Sequence, residues 1–350
     1  MMKTLKNIVP KGFDFTKEQW RDAFENNKPL VVVPFVSTKC NMDCIYCMMN
    51  DERTCYKGTP LTLTQHKKVL QEAYSLGART MVITGMGESF MDPIFYNSKT
   101  GKLPLIEIAE EIGLYTIIFT NAQLITEKLA KSLYKKKVSL IIKLSSLDQK
   151  IFSDLNNKKL KFENCICPDG VERSVPYYLK NLFNAGFGRN LEGNATRLIA
   201  DVIITQKNIK EIPSLIDISL KNNMLVCIDP LVIKSNAKNN IDQLGITEEQ
   251  NKKLYQEIKN TFKDYDMDMY DLSKCIIHHN GLVYDLDGNV RRCLSVPSSV
   301  GNVLKEDIKE LWNKISIERQ ECTKEYESIV FDDIFGKCPG RCYYNFKNHG

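Results

Sequence analysis

Short apolar runs alternate with amphipathic segments over the first two thirds of the chain, and this alternation limits the folds available to it. The runs have the length and composition of strands, and the segments between them repeat their apolar residues at helical spacing. Such an alternation predicts an α/β fold with a parallel sheet covered by helices. Strands are predicted at 30–38, 80–84, 115–120, 138–144, 197–205 and 225–228, and helices at 63–76, 105–112, 126–134, 177–185, 212–221 and 248–265.

Composition and charge exclude several classes of protein. The 350 residues are 43% hydrophobic and carry a net charge of +5, which is typical of a globular protein. The longest apolar stretch, residues 30–36, is too short to span a bilayer, and no secretion signal is found. The lysine-rich residues 128–137 fit the solvated face of a helix. We therefore expect a cytoplasmic protein that binds neither membranes nor nucleic acid.

Three cysteines follow the first predicted strand with the spacing C-x3-C-x2-C. They are Cys40, Cys44 and Cys47. Iron in iron-sulfur clusters binds thiolates, and three thiolates leave one iron of a four-iron cluster open to another ligand. A closed zinc site needs four ligands, and His66 lies too far along the chain to complete a compact motif. The triplet favours a cluster, with a zinc site or uncommitted buried thiols as the alternatives.

With Tyr46 just before the last cysteine, the triplet resembles the C-x3-C-x-aromatic-C motif of the radical S-adenosylmethionine (SAM) superfamily. The resemblance implies a partial (β/α)6 barrel of the TIM type and a [4Fe-4S] cluster whose open iron chelates SAM. It also implies that one electron cleaves SAM to methionine and a 5'-deoxyadenosyl radical, which abstracts hydrogen from a substrate. Tyr46 is then expected at the cofactor site. The triplet lies where parallel α/β folds bind ligands, after a strand's carboxyl end.

A glycine-rich segment at the end of the second predicted strand resembles the superfamily's Gly-Gly-Glu-Pro segment, which binds the methionyl amine of SAM. It reads Gly85-Met-Gly-Glu88 and is followed by Ser89 in place of the usual proline. An amine needs hydrogen-bond acceptors, and backbone carbonyls at Gly85 and Gly87 together with the Glu88 carboxylate would supply them. A plain strand-to-loop turn is the alternative.

Two further strand ends resemble segments that contact SAM in this superfamily. Thr120-Asn121 resembles Thr-Asn-Gly, although Ala122 stands in place of the glycine. The segment from Ser145 to Asp148 resembles Ser-Leu-Asp-Gly, although Gln149 replaces its final glycine. The resemblance assigns Asn121, Ser146 and Asp148 to the ribose hydroxyls and the methionine carboxylate of SAM. Alternatively, these side chains cap turns or helices.

Four more cysteines lie near the C-terminus, in two pairs. The Asp287-Gly-Asn segment predicts a hairpin between the members of the first pair. The spacing resembles the C-terminal extension called SPASM or, in its shorter form, twitch. That resemblance implies one auxiliary [4Fe-4S] cluster in the twitch form, while a four-cysteine zinc site is the alternative. The implied ligands are Cys275, Cys293, Cys338 and Cys342.

These patterns predict four parts of the chain. Residues 1–29 form an N-terminal extension, 30–245 the radical SAM core, 246–269 a linker helix, and 270–350 the SPASM/twitch domain with its auxiliary cluster.

The expected function is reductive cleavage of SAM followed by hydrogen abstraction, for oxidation, dehydrogenation or epimerisation of a small molecule such as a sugar or aminocyclitol. The alternatives are modification of a peptide or protein, and a non-enzymatic iron-sulfur or zinc protein. An oxidoreductase of this type needs a low-potential electron donor such as flavodoxin or ferredoxin. Cys227, on the sixth predicted strand, is a candidate hydrogen-atom donor to a substrate radical.

Overall fold

The computed structural model describes residues 8–229, 231–262, 280–292, 294 and 298–327. These residues fall into two compact units. Unit A consists of the described residues among 8–14, 42–48 and 119–262, and unit B of those among 15–41, 49–118 and 280–327. Each unit is described by itself below.

The described residues contain strands, α-helices and two short 3₁₀ helices. The strands are β1 (Val9–Pro10), β2 (Val31–Pro34), β3 (Thr80–Ile83), β4 (Tyr115–Thr120), β5 (Val138–Lys143), β6 (Phe162–Ile166), β7 (Glu172–Pro176), β8 (Ala195–Thr196), β9 (Leu198–Ile203), β10 (Leu225–Asp229), β11 (Gly281–Tyr284), β12 (Asn289–Arg291) and β13 (Ser299–Asn302). The α-helices are α1 (Lys17–Glu25), α2 (Asn50–Cys55), α3 (Leu63–Leu76), α4 (Pro104–Ile112), α5 (Glu127–Tyr134), α6 (Gln149–Leu155), α7 (Tyr177–Ala185), α8 (Ile212–Lys221), α9 (Asn236–Asn239), α10 (Ile241–Leu244), α11 (Glu248–Thr261) and α12 (Ile308–Glu327). The 3₁₀ helices are Ser89–Met91 and Ile209–Glu211.

Unit A contains three parallel strands in the order β5-β9-β10. Lys143 of β5 stands opposite Asp201 of β9, and Asp201 stands opposite Cys227 of β10. Helix α8 packs against β10, and helices α5 and α7 pack against each other. A separate antiparallel hairpin joins β6 to β7.

Unit B contains β3 between β2 and the first four residues of β4, and all three run in parallel. Strand β11 extends this sheet beside β2, also in parallel, and β12 and β13 follow in antiparallel order. Helix α3 packs against α4 and α12. The first strand of the C-terminal region is thus paired directly with the strand that precedes the cysteine triplet.

The alternation of strands and helices predicted from the sequence is confirmed, because each of the six predicted strands and six predicted helices is present. Two boundaries differ from the prediction. Strand β2 ends at Pro34, and beyond it Phe35 forms an isolated bridge with Thr84. Helix α11 ends at Thr261, four residues short of its predicted end.

The hairpin predicted at Asp287-Gly-Asn is also confirmed. Gly288 has a φ of +83°, a backbone conformation that side chains other than glycine rarely adopt. Its N–H donates to the carbonyl of Asp285, and the Asp285 side chain accepts from the N–H groups of Asp287 and Asn289. The hydrogen bonds that close the turn therefore all come from residues within the turn itself.

A buried arginine fixes this hairpin within unit B. The Arg291 guanidinium lies 2.8 Å from a Glu52 carboxylate oxygen of α2 and 3.1 Å from Asp285, and it stacks over the Phe35 ring. Buried charges are stable only when they are paired and hydrogen-bonded. Strand β12 is therefore tied to the helix that follows the cysteine triplet in the sequence.

His66 of α3 makes a second buried contact with the C-terminal region. Its Nδ1 lies 2.9 Å from the hydroxyl of Tyr284 in β11, and both side chains are buried. Burial lowers the pKa of His66 to about 4, so the imidazole is neutral at pH 7.

Among the described residues, we find no helix with the length and apolar character needed to cross a membrane.

Candidate functional site

The cysteine triplet lies just beyond β2. Cys40 belongs to unit B, and Cys44 and Cys47 belong to unit A. All three are partly exposed thiols outside disulfide bonds, which is the donor chemistry that an iron-sulfur cluster requires. No three His, Cys, Asp or Glu side chains in the described part of the chain are gathered as a preformed metal site. The ligand set therefore stays a prediction that rests on the donor chemistry.

The C-terminal end of α6 holds the part of the cysteine loop that belongs to unit A. The N–H of Ile45 donates to the carbonyl of Leu155 at 3.0 Å, and the Asn157 side chain donates to the Asp43 carboxylate at 3.3 Å. Between these contacts, the buried Asn156 amide oxygen lies 3.2 Å from the Cys44 sulfur. Three consecutive residues at this helix end thus contact three consecutive residues of the loop.

Two further asparagines hold the main chain of the loop. The Asn236 side chain donates to the Cys44 carbonyl at 3.0 Å, and the Asn236 backbone N–H donates to the Cys47 carbonyl at 3.2 Å. The Asn240 side chain donates to the Ile45 carbonyl. The sequence motifs do not identify these asparagines or Asn156. No local signal marks them, since each acts on a segment that is distant in the sequence.

Tyr46 is anchored from both its ring and its hydroxyl. The ring is buried in a small apolar cluster with Leu155 and Leu244. The hydroxyl lies 3.3 Å from Ser145 Oγ and donates to the Asn156 amide oxygen at 3.1 Å. Burial is the main cause that raises the pKa of Tyr46 well above its usual range, and the nearby Cys44 sulfur is the second. Its side chain packs in the core, and its predicted place at the cofactor site stays a prediction.

The Gly85-Met-Gly-Glu88 segment of unit B lies against the residue that precedes Cys40. The N–H of Glu88 donates to the Lys39 carbonyl at 2.8 Å. A β-carbon on Gly87 would lie 2.3 Å from the Lys39 carbonyl oxygen and 2.9 Å from that of Ser37. Such distances exclude any side chain at position 87 without a shift of the backbone. Gly85 has a φ of +141°, so both glycines are needed by the local geometry.

The Glu88 carboxylate is buried at the end of this segment, where it would be expected to meet the SAM amine. One of its oxygens accepts from the N–H of Phe90 at 3.3 Å and caps the short 3₁₀ helix that follows. This contact engages one carboxylate oxygen and holds the side chain in place. The predicted contact with an amine stays a prediction.

Asn121 lies at the end of β4, within unit A. Its side-chain oxygen accepts from the N–H of Gln123 at 3.0 Å, and the Thr120 hydroxyl accepts from the N–H of Ala122 at 2.8 Å. Ala122 has a φ of +60°, the left-handed conformation that glycine adopts most readily. The backbone thus keeps a glycine-like turn at the position where the superfamily segment has glycine. The turn-capping alternative describes the observed contacts of Asn121.

Ser146 and Asp148 order the loop between β5 and α6. The Asp148 carboxylate caps α6 by accepting from the N–H groups of Lys150 and Ile151, at 2.8 and 2.9 Å. The Ser146 hydroxyl accepts from the Asp148 N–H and donates to the Glu211 carboxylate. Both side chains therefore have structural hydrogen bonds, as the capping alternative expects, and their SAM contacts stay predictions.

Cys227 belongs to a polar row across the three strands of unit A. Residues in register on neighbouring parallel strands share one face of a sheet, so Cys227 lies on the same face as Lys143 and Asp201. Lys143 and Asp201 form an ion pair in which the aspartate is buried. The Cys227 thiol lies 3.6 Å from a carboxylate oxygen of Asp229. The predicted hydrogen donor thus has charged neighbours, and its role stays a prediction.

The auxiliary ligand set falls outside the part of the chain that the structure describes. This applies to all four of its cysteines, Cys275, Cys293, Cys338 and Cys342. The described hairpin β11–β12 lies between the sequence positions of Cys275 and Cys293.

Comparison with known proteins finds a matching family model, a similar curated sequence and several similar solved structures. Residues 35–166 match the model of the Radical SAM superfamily. A stretch of 100 residues is 30% identical to PqqA peptide cyclase of Bradyrhizobium diazoefficiens. That stretch is 29% of this chain and 24% of the cyclase, so the chain spans about a quarter of the relative that it matches.

Similar solved structures cover nearly the whole chain. Streptococcus suis SuiB bound to precursor peptide SuiA has a TM-score of 0.59 and 15% identity, over 93% of this chain and 79% of SuiB. The structure of anSMEcpe with bound AdoMet and a peptide has a TM-score of 0.54 and 15% identity, over 91% of this chain and 97% of anSMEcpe. At this identity the likeness shows the fold, and it confirms the predicted α/β partial barrel of the TIM type.

Proposed function

We propose that this chain, which belongs to the radical SAM superfamily, is an enzyme that cleaves SAM and uses the resulting radical to modify a peptide. The main support for a peptide substrate is the 100-residue match, at 30% identity, to a protein named PqqA peptide cyclase. The fold is also similar to that of SuiB, whose structure holds the precursor peptide SuiA. Both observations favour the peptide alternative over the small molecule that the sequence led us to expect.

In this proposal the three thiols of Cys40, Cys44 and Cys47 hold a [4Fe-4S] cluster. When bound with SAM, such a cluster supplies the electron that releases a 5'-deoxyadenosyl radical. The contribution of the chain is to hold the loop in place: α6 and two asparagines fix it at Cys44 and Cys47, and Lys39 receives a backbone hydrogen bond from Glu88. Within unit A these contacts order Cys44 and Cys47, and within unit B the bond from Glu88 holds the residue before Cys40.

The proposed SAM contacts are the acceptors around Gly85, Gly87 and Glu88 for the amine, and Asn121, Ser146 and Asp148 for the ribose and carboxylate. The buried, capped Glu88 carboxylate is held in one orientation, which would spare the entropy of ordering it on binding. Asp148 and Ser146 are similarly fixed by their own hydrogen bonds. Rigid placement of this kind supports a binding role without requiring further rearrangement.

An auxiliary [4Fe-4S] cluster in a twitch domain is proposed for Cys275, Cys293, Cys338 and Cys342. Its four thiolates would saturate the cluster, so it would carry electrons and leave SAM to the first site. If the peptide product is oxidised, this cluster is the natural acceptor for the electron of the substrate radical. A flavodoxin or ferredoxin is the proposed donor for the first cluster.

Anaerobic reconstitution of the full chain tests the proposal. We expect roughly eight irons per chain, four for each cluster, and release of 5'-deoxyadenosine when SAM and a strong reductant are added. Zinc in place of iron, together with no cleavage of SAM, would overturn the proposal.

The substrate class needs a separate assay. Short peptides encoded beside the gene are supplied as probes, with sugars and aminocyclitols as the competing set. Faster 5'-deoxyadenosine release together with a changed peptide mass supports the peptide substrate. Turnover of a sugar or aminocyclitol, with no peptide modified, contradicts it.

A further inference from the structure

The side chain of Asn156 touches both the second cysteine of the triplet and the aromatic residue of the motif. Its amide oxygen lies 3.2 Å from Cys44 Sγ and 3.1 Å from the Tyr46 hydroxyl, and its amide nitrogen donates to the Phe152 carbonyl at 2.7 Å. Asn156 is 1% exposed, so its amide is shielded from water, and the Cys44 thiol that it contacts is partly exposed. The amide is therefore a fixed polar group at the sulfur of Cys44.

The contact with Cys44 is a hydrogen bond in which the thiol donates to the amide oxygen. Once iron is bound, the sulfur has lost its proton and can only accept a hydrogen bond. An amide oxygen at the same position would then face a second acceptor across a partly buried contact, which costs free energy. The nitrogen end of the same amide, however, is a donor with two hydrogens.

We propose that Asn156 is a positioning residue whose side-chain amide turns its N–H toward the Cys44 sulfur when that sulfur binds iron. This inference rests on the proposed function, because it requires a cluster at the triplet. The nitrogen and oxygen ends of an amide have nearly the same shape, so a half-turn about the terminal bond exchanges acceptor for donor with little change in packing. Asn156 then stabilises the ligated form of the loop.

The neighbouring groups can accommodate this exchange. The Tyr46 hydroxyl can accept from the amide N–H and still donate to Ser145 Oγ, which lies 3.3 Å away. The Phe152 carbonyl loses its side-chain donor and keeps the Asn156 backbone N–H at 3.2 Å. In the exchanged orientation the amide oxygen faces the Phe152 carbonyl, which opposes the exchange. The exchange therefore costs the bond to Phe152 and leaves the amide oxygen without a donor, and it gains a hydrogen bond to a charged acceptor, which is the stronger kind.

A hydrogen bond to a cluster sulfur changes the reduction potential of the cluster. The N–H dipole stabilises the extra negative charge of the reduced form more than the oxidised form, so it raises the potential. We expect its removal in Asn156→Ala to shift the reduction equilibrium about tenfold toward the oxidised form, or about 59 mV for one electron. Asn156→Asp, which presents only acceptors, should lower the potential further.

The experiment uses the reconstituted full chain and follows the cluster whose electron paramagnetic resonance (EPR) signal changes when SAM is added. Its midpoint potential is measured by redox titration in the wild type, Asn156→Ala and Asn156→Asp. Asn157→Gly is the matched control, because it removes a contact of the same helix end with the same loop without touching a sulfur. Its φ of +47° suits glycine, so the backbone is unchanged.

Lowered potentials in both Asn156 variants, with the control unchanged, support the inference. An unchanged potential in Asn156→Ala, or an equal shift in Asn157→Gly, overturns it. Pulsed EPR on wild type labelled with ¹⁵N-asparagine gives an answer even if the variants fail to fold, because the absence of ¹⁵N coupling to the cluster also overturns it. A wild type that takes up no SAM-responsive cluster refutes the proposed function itself, and this outcome is distinct from the others.

Discussion

The N–H of Glu88 donates to the carbonyl of Lys39 at 2.8 Å, and this bond joins the glycine-rich segment to the residue before Cys40. It is possible only because Gly87 has no side chain, since a β-carbon there would lie 2.3 Å from the Lys39 carbonyl oxygen. One segment of unit B thus holds the residue that directly precedes the first cysteine of the triplet.

Gly87→Ala is therefore expected to displace the backbone at Lys39. Overpacking of this kind costs about 1–3 kcal/mol, and the part of that cost that opposes SAM binding raises the dissociation constant by up to about 150-fold. Equilibrium binding of SAM to the reconstituted protein measures the loss. Gly101→Ala serves as the control, since a β-carbon at Gly101 meets nothing within 4 Å and only the strain of its positive φ remains. Equal SAM affinity in wild type and Gly87→Ala would refute the steric argument.

The triplet should be needed for SAM cleavage, and other thiols should not. Alanine at Cys40, Cys44 or Cys47 is expected to abolish 5'-deoxyadenosine release, because each removes a proposed ligand of the cluster that binds SAM. Cys55→Ala is the control, since Cys55 is an exposed thiol only eight residues beyond Cys47. Substitution of the four C-terminal cysteines should spare part of the cleavage. Full activity in the Cys44 variant would contradict the ligand assignment.

His66 should make the fold less stable in acid. Burial lowers its pKa from 6.5 to about 4, so between these pH values the unfolded chain binds a proton that the folded chain does not. The contribution of neutral His66 to the free energy of unfolding is fully present above about pH 6.5. As the pH falls toward 4, this contribution is lost, and the total loss is about 3 kcal/mol. Urea unfolding of wild type and His66→Gln, measured from pH 4 to 8, isolates this effect. Parallel pH profiles of the two proteins would rule it out.

Removal of the buried arginine should destabilise unit B. Arg291→Met leaves the carboxylates of Glu52 and Asp285 without their shared guanidinium, and breaking a buried ion pair in this way costs about 3–5 kcal/mol. Lys28→Met is the control, because it removes an exposed pair with Asp22 that is worth at most about 1 kcal/mol. Chemical denaturation gives both values. If the two variants lose the same stability, the buried pair has no special role.

Local sequence determined much of the fold. Helix α3 begins and ends where the spacing predicts, because Thr62 and Gln65 form a capping box at its start and Gly77 ends it. The β11–β12 turn was predictable for the same reason, since Asp285 and Gly288 close it within the hairpin. In each case, the signals that set the boundary lie within a few residues of it.

Other features depend on contacts between distant parts of the chain. The parallel pairing of β11 with β2 joins residues about 250 positions apart, and no local pattern specifies the choice of neighbour. The motif spacing identified the three cysteines, but the residues that hold their loop are asparagines. Asn156 and Asn236 act through single side-chain amides on main-chain and sulfur atoms remote in the sequence. Such contacts become visible only in the folded chain.

Helix α6 is capped by Asp148 at one end and followed at the other by Asn156, which touches Cys44. Its seven residues span about 10 Å and so fix the spacing between the end of β5 and the cysteine loop. Inserting a single residue would lengthen it by about 1.5 Å and rotate its far end by about 100°, which would turn Asn156 away from the sulfur. Along this stretch the chain can vary in composition far more readily than in length.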